Sequence, residues 1–420
     1  MTLEKHSLVE TPEKIKLLWY LTLPDGPIPW EPHGRWNTGF KHLQRLASTI
    51  DDLGFYGALL ATGLGGNEVL TVTSSLISST QRLKFLAAIH PGLVGPAKLA
   101  QIASTIEQFS EGRLLFNAVN GNDRALPAFG VHYPHDERYR YSLEYWQAFQ
   151  KIFKGETDGY EGEYIKLAPF PPELVQQSKS VAADSHKKTY YPQGLPLWGA
   201  GTSAAGVAHS IEVLDVYLSF ADTPQRLGEK FRRVAAEAAK IGKRLKFGTR
   251  LQIIVRETEQ EAWDYAQYLI DHTSVEYAIQ SIKRQLPPGE TFESYQSDNP
   301  QIQQNIDTIK SGKLPNAKDF EIYPNIWTGP ALHGFNVLGP LAGTTLVGSA
   351  ENVAARIREF QAQGTSAFIL SGWPLIDEAY RVADLLFPLL DLDHGFDIPQ
   401  LASQSRSTSH KFTSEISSST

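Results

Sequence analysis

The 420-residue chain contains no cysteine. That removes disulfides, thiolate metal sites and cysteine nucleophiles together, and leaves the redox compartment open. It has no apolar run near the ~20 residues that a membrane-spanning helix needs. Its start, MTLEKHSLVETPEKIK, is charged and lacks the apolar centre of a secretion signal. A cytoplasmic protein with no membrane partner is the expectation. No basic cluster interleaved with aromatics occurs either, and a net charge of −7 argues against nucleic acid as a partner. His132 and His135, followed by Asp136 and Glu137, lack the spacing of a metal-ligand frame, so no metal is expected.

What is present is the composition of a globular protein: 41% apolar and 20% charged residues, enough to bury a sizeable core. The most informative stretch is Leu195–Gly206, LPLWGAGTSAAG. An apolar run breaks at Gly199-Ala200-Gly201, and Thr202-Ser203 open a segment that reads as helix. Glycines allow close backbone approach, and a helix start offers unpaired N–H groups beside two hydroxyls, which together make an anion site. Gly199, Gly201 and Ala204 equally fit the dinucleotide pattern G-x-G-x-x-G/A, with Asp215 as acidic partner, and a plain strand–turn–helix corner fits too.

Along the chain, strand-like runs near residues 17, 58, 85, 115, 196, 217, 250 and 369 alternate with amphipathic helical segments. Alternation of this kind implies a parallel sheet, and eight units without a break favour an α/β (β/α)8 TIM barrel over a doubly wound sheet. Residues 1–14 read as a flexible arm and 15–392 as one barrel domain. Two stretches, 154–192 and 259–342, read as insertions. Residues 393–420, rich in Ser and Thr, read as a disordered tail. Ligands of such barrels sit at the strand C-termini, which gathers Asn120–Asp123, Thr202-Ser203, Phe220, Arg250, Gln252 and Trp373 around one mouth.

Several segments now match one family in order. They include Gln81-Arg82-Leu83-Lys84-Phe85-Leu86, Glu111-Gly112-Arg113-Leu114-Leu115-Phe116-Asn117 and Glu137-Arg138-Tyr139. Further on come Val255-Arg256-Glu257-Thr258, Ala342-Gly343-Thr344 with Leu346-Val347-Gly348, Leu370-Ser371-Gly372, Glu378-Ala379-Tyr380-Arg381 and Leu385-Leu386-Phe387-Pro388. With these the chain resembles the bacterial-luciferase-like flavin monooxygenases, and among them most the alkanesulfonate monooxygenases. The likeness runs from about residue 16 to 392 and fails over 22–38, 170–192 and 280–320. It implies a TIM barrel that uses reduced FMN (FMNH2) from a separate NAD(P)H-dependent flavin reductase, with O2 activated as a flavin peroxide. It also implies a homodimer or homotetramer, with 259–342 as a lid. By the same resemblance Tyr139, Gly201, Thr202 and Ser203 would hold the FMN phosphate, and Asn120 would lie near the flavin ring.

The departures matter as much. Where sulfonate enzymes carry Cys, His, Tyr, Trp and a loop Arg, this chain has Gly66, Gln252, Trp373, Phe220 and Gly339. Arg250 is the charged group that remains. Gln252 and Trp373 can donate hydrogen bonds but cannot act as acid or base near neutral pH. The expected catalytic set is therefore Arg250, Gln252 and Trp373. The expected pocket is lined by Trp19, Phe220 and Trp373, with Trp36 as a further wall. Any acid–base histidine would be His33 or His90. The resemblance points to oxygenation of a small organosulfur substrate, an alkanesulfonate giving sulfite and aldehyde. A neutral or bulkier substrate (sulfone, aldehyde), F420-type hydride transfer and a non-catalytic flavin-binding barrel are the alternatives.

Overall fold

The computed structural model describes residues 13–396, apart from 64, 122–125, 172–189, 288, 332–333 and 340–343. The first half alternates in the expected order: β1 (Lys16–Tyr20), α1 (Phe40–Asp52), β2 (Gly57–Leu60), α2 (Val69–Leu76), β3 (Lys84–Ile89), α3 (Pro96–Phe109), β4 (Leu114–Ala118) and α4 (His135–Phe153). Then follow β5 (Leu197–Gly199), α5 (Ala204–Val213), β6 (Val216–Phe220), α6 (Pro224–Lys240) and β7 (Lys246–Arg256). Local chemistry explains the helix starts. Prolines open α3 and α6, where their missing N–H is harmless, and Leu227, Phe231, Val234 and Ala238 give α6 a buried stripe at helical spacing.

All eight barrel strands are parallel, and they close: β7 pairs with both β6 and β8 (Thr365–Ser371), and β8 pairs with β1. The fold is a (β/α)8 barrel, as the alternation implies. Residues 160–167 form the small antiparallel hairpin within the first insertion, whose polar stretch 176–188 lies outside the described residues, as do residues 1–12 of the arm and 397–420 of the tail.

After β7 the chain runs through α7 (Glu259–Asp271), α8 (Val275–Gln285) and α9 (Pro300–Lys310) before α10 (Ala350–Ala362) and α11 (Leu375–Arg381) flank β8. A strand absent from the sequence reading, Thr345–Ser349, lies parallel to residues 252–256 of β7. Strand β6 ends opposite Arg250, and this extra strand takes over the vacated edge of the longer β7. It escapes periodicity because five residues between a glycine stretch and a helix carry little alternation of their own.

The insertion is fastened at its base. The Trp30 indole donates to Thr273 Oγ1 (2.9 Å), and Glu31 Oε1 accepts from both the backbone N–H and the hydroxyl of Ser274 (2.8 Å each). The far end of β7 is fixed equally firmly. Glu378, fully buried, takes two hydrogen bonds of 3.0 Å from Arg256 and one of 2.8 Å from Arg381. Removing the carboxylate strands two cations at a partly buried point. Glu378→Ala should therefore lower unfolding stability by about 3–5 kcal/mol, read from urea midpoints at constant m-value.

Candidate active site at the barrel mouth

Side chains alternate across a strand, so one contact on each strand tells which face is which. Phe116 packs on Trp146 and Phe149 of α4, and Tyr217 on Phe231 of α6, so these residues face the helices. Their neighbours in sequence face the interior. Register then carries the inward set around the ring through Tyr20, Leu59, Leu86, Asn117, Trp198, Phe220 and Arg250. The 4.6 Å approach of the Arg250 guanidinium to the Tyr20 ring confirms it.

Arg250 is half-buried, with Tyr20 on one side and the 47% exposed ring of Phe220 at 5.6 Å on another. Burial lowers its pKa, from a value high enough that it stays a cation at neutral pH. Among the described residues it has no carboxylate partner. Gln252, two residues on and on the same face, accepts from Thr345 Oγ1 (3.1 Å), which leaves its NH2 group as a donor. Opposite Gln252 on β8, the buried Ser371 hydroxyl has no hydrogen-bond partner among the described residues. Asn120, just beyond β4 and 9% exposed, finds no partner for its amide oxygen or its nitrogen among the described residues. Both groups lie at the C-terminal ends of barrel strands, the end at which ligands of this fold bind.

A second cluster lies beyond β5. Ser203 caps α5 by accepting the Gly206 N–H (3.1 Å), and Thr202 is exposed beside it. The loop is held by the Tyr217 hydroxyl, which donates to the Gly201 carbonyl (2.6 Å). It closes on the helix only because both partners lack side chains: a Cβ on Gly206 would sit 2.9 Å from Gly201 Cα and 3.0 Å from the Tyr139 hydroxyl. Tyr139, from α4, is thus placed over the helix start with Thr202 and Ser203. Behind it stands His209, buried, its Nε2 2.8 Å from Ser142 Oγ and its ring 5.6 Å from that of Tyr139. The sequence reading missed His209; a polar residue in the apolar stripe of α5 was the available signal.

Two expected pocket residues are placed elsewhere. Trp19 has the opposite parity to Tyr20: it is fully buried, 5.4 Å from Phe55, and belongs to the core under the helices. Trp373 is 5% exposed, and its indole N–H is already used on the Pro24 carbonyl (3.1 Å). It packs edge-on against Trp30 at 5.7 Å and so anchors loop 22–38, with no donor left for a ligand. His33 is exposed, whereas His90 lies at the mouth. Asn122 and Asp123 fall outside the described residues, among which no cluster of metal-ligating side chains occurs and no helix is long and apolar enough to cross a membrane.

A closed parallel barrel with polar side chains at its mouth and a turn capped by Ser203 after its fifth strand is a (β/α)8 barrel, the class whose ligands sit at the strand C-termini. Residues 26–367 match the luciferase-like monooxygenase family, and the chain belongs to it. Among solved structures it is similar to riboflavin lyase (RcaE), crystallised with modified FMN and riboflavin, at 19% identity and TM-score 0.68, covering 92% of this chain and 94% of that one. It is also similar to long-chain alkane monooxygenase (LadA), at 16% identity and TM-score 0.68, over 90% and 91%. Coenzyme F420-dependent tetrahydromethanopterin reductase from Methanopyrus kandleri has the same fold, at 15% identity and TM-score 0.60, over 90% and 99%. At these identities the likeness is one of fold.

Two outcomes follow. Burial pushes the His209 imidazole down to about 4. Unfolded chains protonate it near 6.5, so its contribution is complete above that pH and is lost as pH falls toward 4. His209→Gln should flatten the acid limb of the stability profile between those values, by about 3 kcal/mol at most. Asn120→Leu, close in volume, removes two polar atoms that have no partner among the described residues and should raise the stability of the ligand-free protein by about 1–3 kcal/mol, measured by urea unfolding.

Proposed function

We propose that the protein is a reduced-FMN-dependent monooxygenase acting on a small organosulfur anion, an alkanesulfonate, with release of sulfite and an aldehyde. The observation that carries this reading is Arg250, a cation with no carboxylate partner among the described residues, beside the NH2 of Gln252 at the mouth of a monooxygenase-family barrel. A sulfonate is a fixed anion that needs such donors once water is excluded.

The residues fit FMN on two counts. Tyr139, Thr202, Ser203 and the first N–H groups of α5 suit a phosphate, in a cradle that a Cβ at Gly206 would fill. Asn120 has an unsatisfied donor and an unsatisfied acceptor of the kind a flavin ring edge needs. Reduced FMN would supply the electrons that activate O2. The protein's part is to bind and orient: Arg250 and Gln252 hold the sulfonate head, while Tyr20, Phe220 and Trp198 wall its carbon chain and keep water out. Delivery of the reduced flavin by a separate NAD(P)H-dependent reductase, and assembly as a homodimer or homotetramer, belong to the same reading and rest on the family resemblance.

The test is sulfite release from a chain-length series of alkanesulfonates, with FMN, NAD(P)H, a generic flavin reductase and O2. Turnover is expected, with Arg250→Ala lowering kcat/KM about a hundredfold or more. No sulfite from any member, while reduced FMN still binds, would overturn the sulfonate assignment. Binding of a cofactor absorbing as deazaflavin, and not FMN, would overturn the cofactor.

A further inference from the structure

The donor wall on β7 has a complement across the barrel. His90 follows β3 directly, and β3 and β7 are four strands apart in a ring of eight, so they stand opposite one another. The inward parity of Leu86 and Ala88 continues to His90, which is 6% exposed. Its Nδ1 lies 2.7 Å from the Val119 carbonyl. A carbonyl can only accept, so Nδ1 carries the proton, and Nε2 bears a lone pair with no partner among the described residues. The His90 ring centroid lies 6.4 Å from that of Phe129.

We propose that His90 is a catalytic base of the site, its Nε2 taking the hydroxyl proton of a 1-hydroxyalkanesulfonate whose sulfonate head is held by Arg250 and Gln252. This rests on the reading of the mouth as a sulfonate site. In the step, the O–H bond breaks and its electron pair becomes the second bond of the aldehyde carbonyl. The C–S bond breaks in turn, its pair leaving with sulfite. The proton forms Nε2–H and then passes to water. No oxidant or reductant is consumed. The arrangement supplies what Gln252 lacks, since an amide on β7 can hold the sulfonate but cannot accept a proton near neutral pH. Arg250 favours the step twice, by binding the anion and by stabilising the second negative charge that sulfite gains.

Because the step needs neither flavin nor oxygen, it can be tested alone. Aldehyde–bisulfite adducts are 1-hydroxyalkanesulfonates, and sulfite set free from them can be trapped with a thiol-type disulfide reagent and read continuously. The flavin-free protein is expected to accelerate this release above the buffer rate. Burial lowers the His90 pKa, so acceleration should hold through neutral pH and fall only as acid protonates Nε2. His90→Gln and His90→Asn should each reduce the accelerated rate about a hundredfold and remove that acid limb. The Asn variant keeps a donor for the Val119 carbonyl, so retained thermal stability there separates loss of the base from misfolding. A wild-type protein that gives no acceleration, or variants that retain it, would overturn the role of His90. If the same wild-type protein releases sulfite from alkanesulfonates with reduced FMN, the sulfonate reading stands and only His90 falls. If it does neither, both fall.

Discussion

The double pairing of β7, with β6 on one edge and β8 on the other, turns a sheet into a closed ring, and the rest of the site depends on that closure. In a closed ring every second residue points inward. Lower down these are Leu18, Leu86 and Ile369, filling the interior. Near the strand ends the layer of side chains stops, and the inward positions become Tyr20, Phe220, Arg250 and Gln252. β6 ends opposite Arg250, where strand Thr345–Ser349 takes over the edge of β7, and at that junction the guanidinium is half-buried and backed by aromatic faces.

Around that rim runs a set of long-range tethers. Buried Asp25 accepts from the backbone N–H groups of Gly26 and Leu375 and lies 2.8 Å from His42. Trp373 holds Pro24, and Trp30 and Glu31 hold the α7–α8 corner. Tyr265 of α7 donates to the Trp373 carbonyl at 2.7 Å while its ring lies 4.3 Å from Arg256. Loop 22–38, which has no regular structure of its own, thus joins β1, β8 and the insertion into one wall. Positioning of this sort keeps a binding surface preorganised.

The alternation of strand and helix was legible because each βα unit has its own local period, and all eight barrel strands lie where the apolar runs are. Parity was not. KLLWY in β1 is apolar on both faces, as expected of a parallel strand covered inside and out, so nothing in it says that Tyr20 faces the mouth and Trp19 the helices. The same limit hid the fate of Trp373, whose partners Pro24 and Trp30 are more than three hundred residues away in the chain. At the glycine-and-hydroxyl turn, 199–203, backbone chemistry alone made the strand–turn–helix corner legible and left an anion site, a dinucleotide turn and a plain corner open together. Tyr139, brought to it by the packing of α4 on α5, was reachable only through the family resemblance.

The mouth is polarised by strand identity. The β7 wall offers a cation and amide donors, and the β3 wall offers a neutral ring nitrogen, so an anion bound between them has one favourable orientation. A carboxylate at position 252 would pair with Arg250 and cancel the charge that, on the proposed assignment, holds the sulfonate. A histidine there would put the proton acceptor beside the cation, where protonation is disfavoured by like charge. Glutamine avoids both outcomes: it adds a donor to the cation without neutralising or repelling it. On the proposed assignment, placing the base on a different strand from the cation leaves Arg250 without a like charge beside it in the chain, while His90 stays able to take a proton.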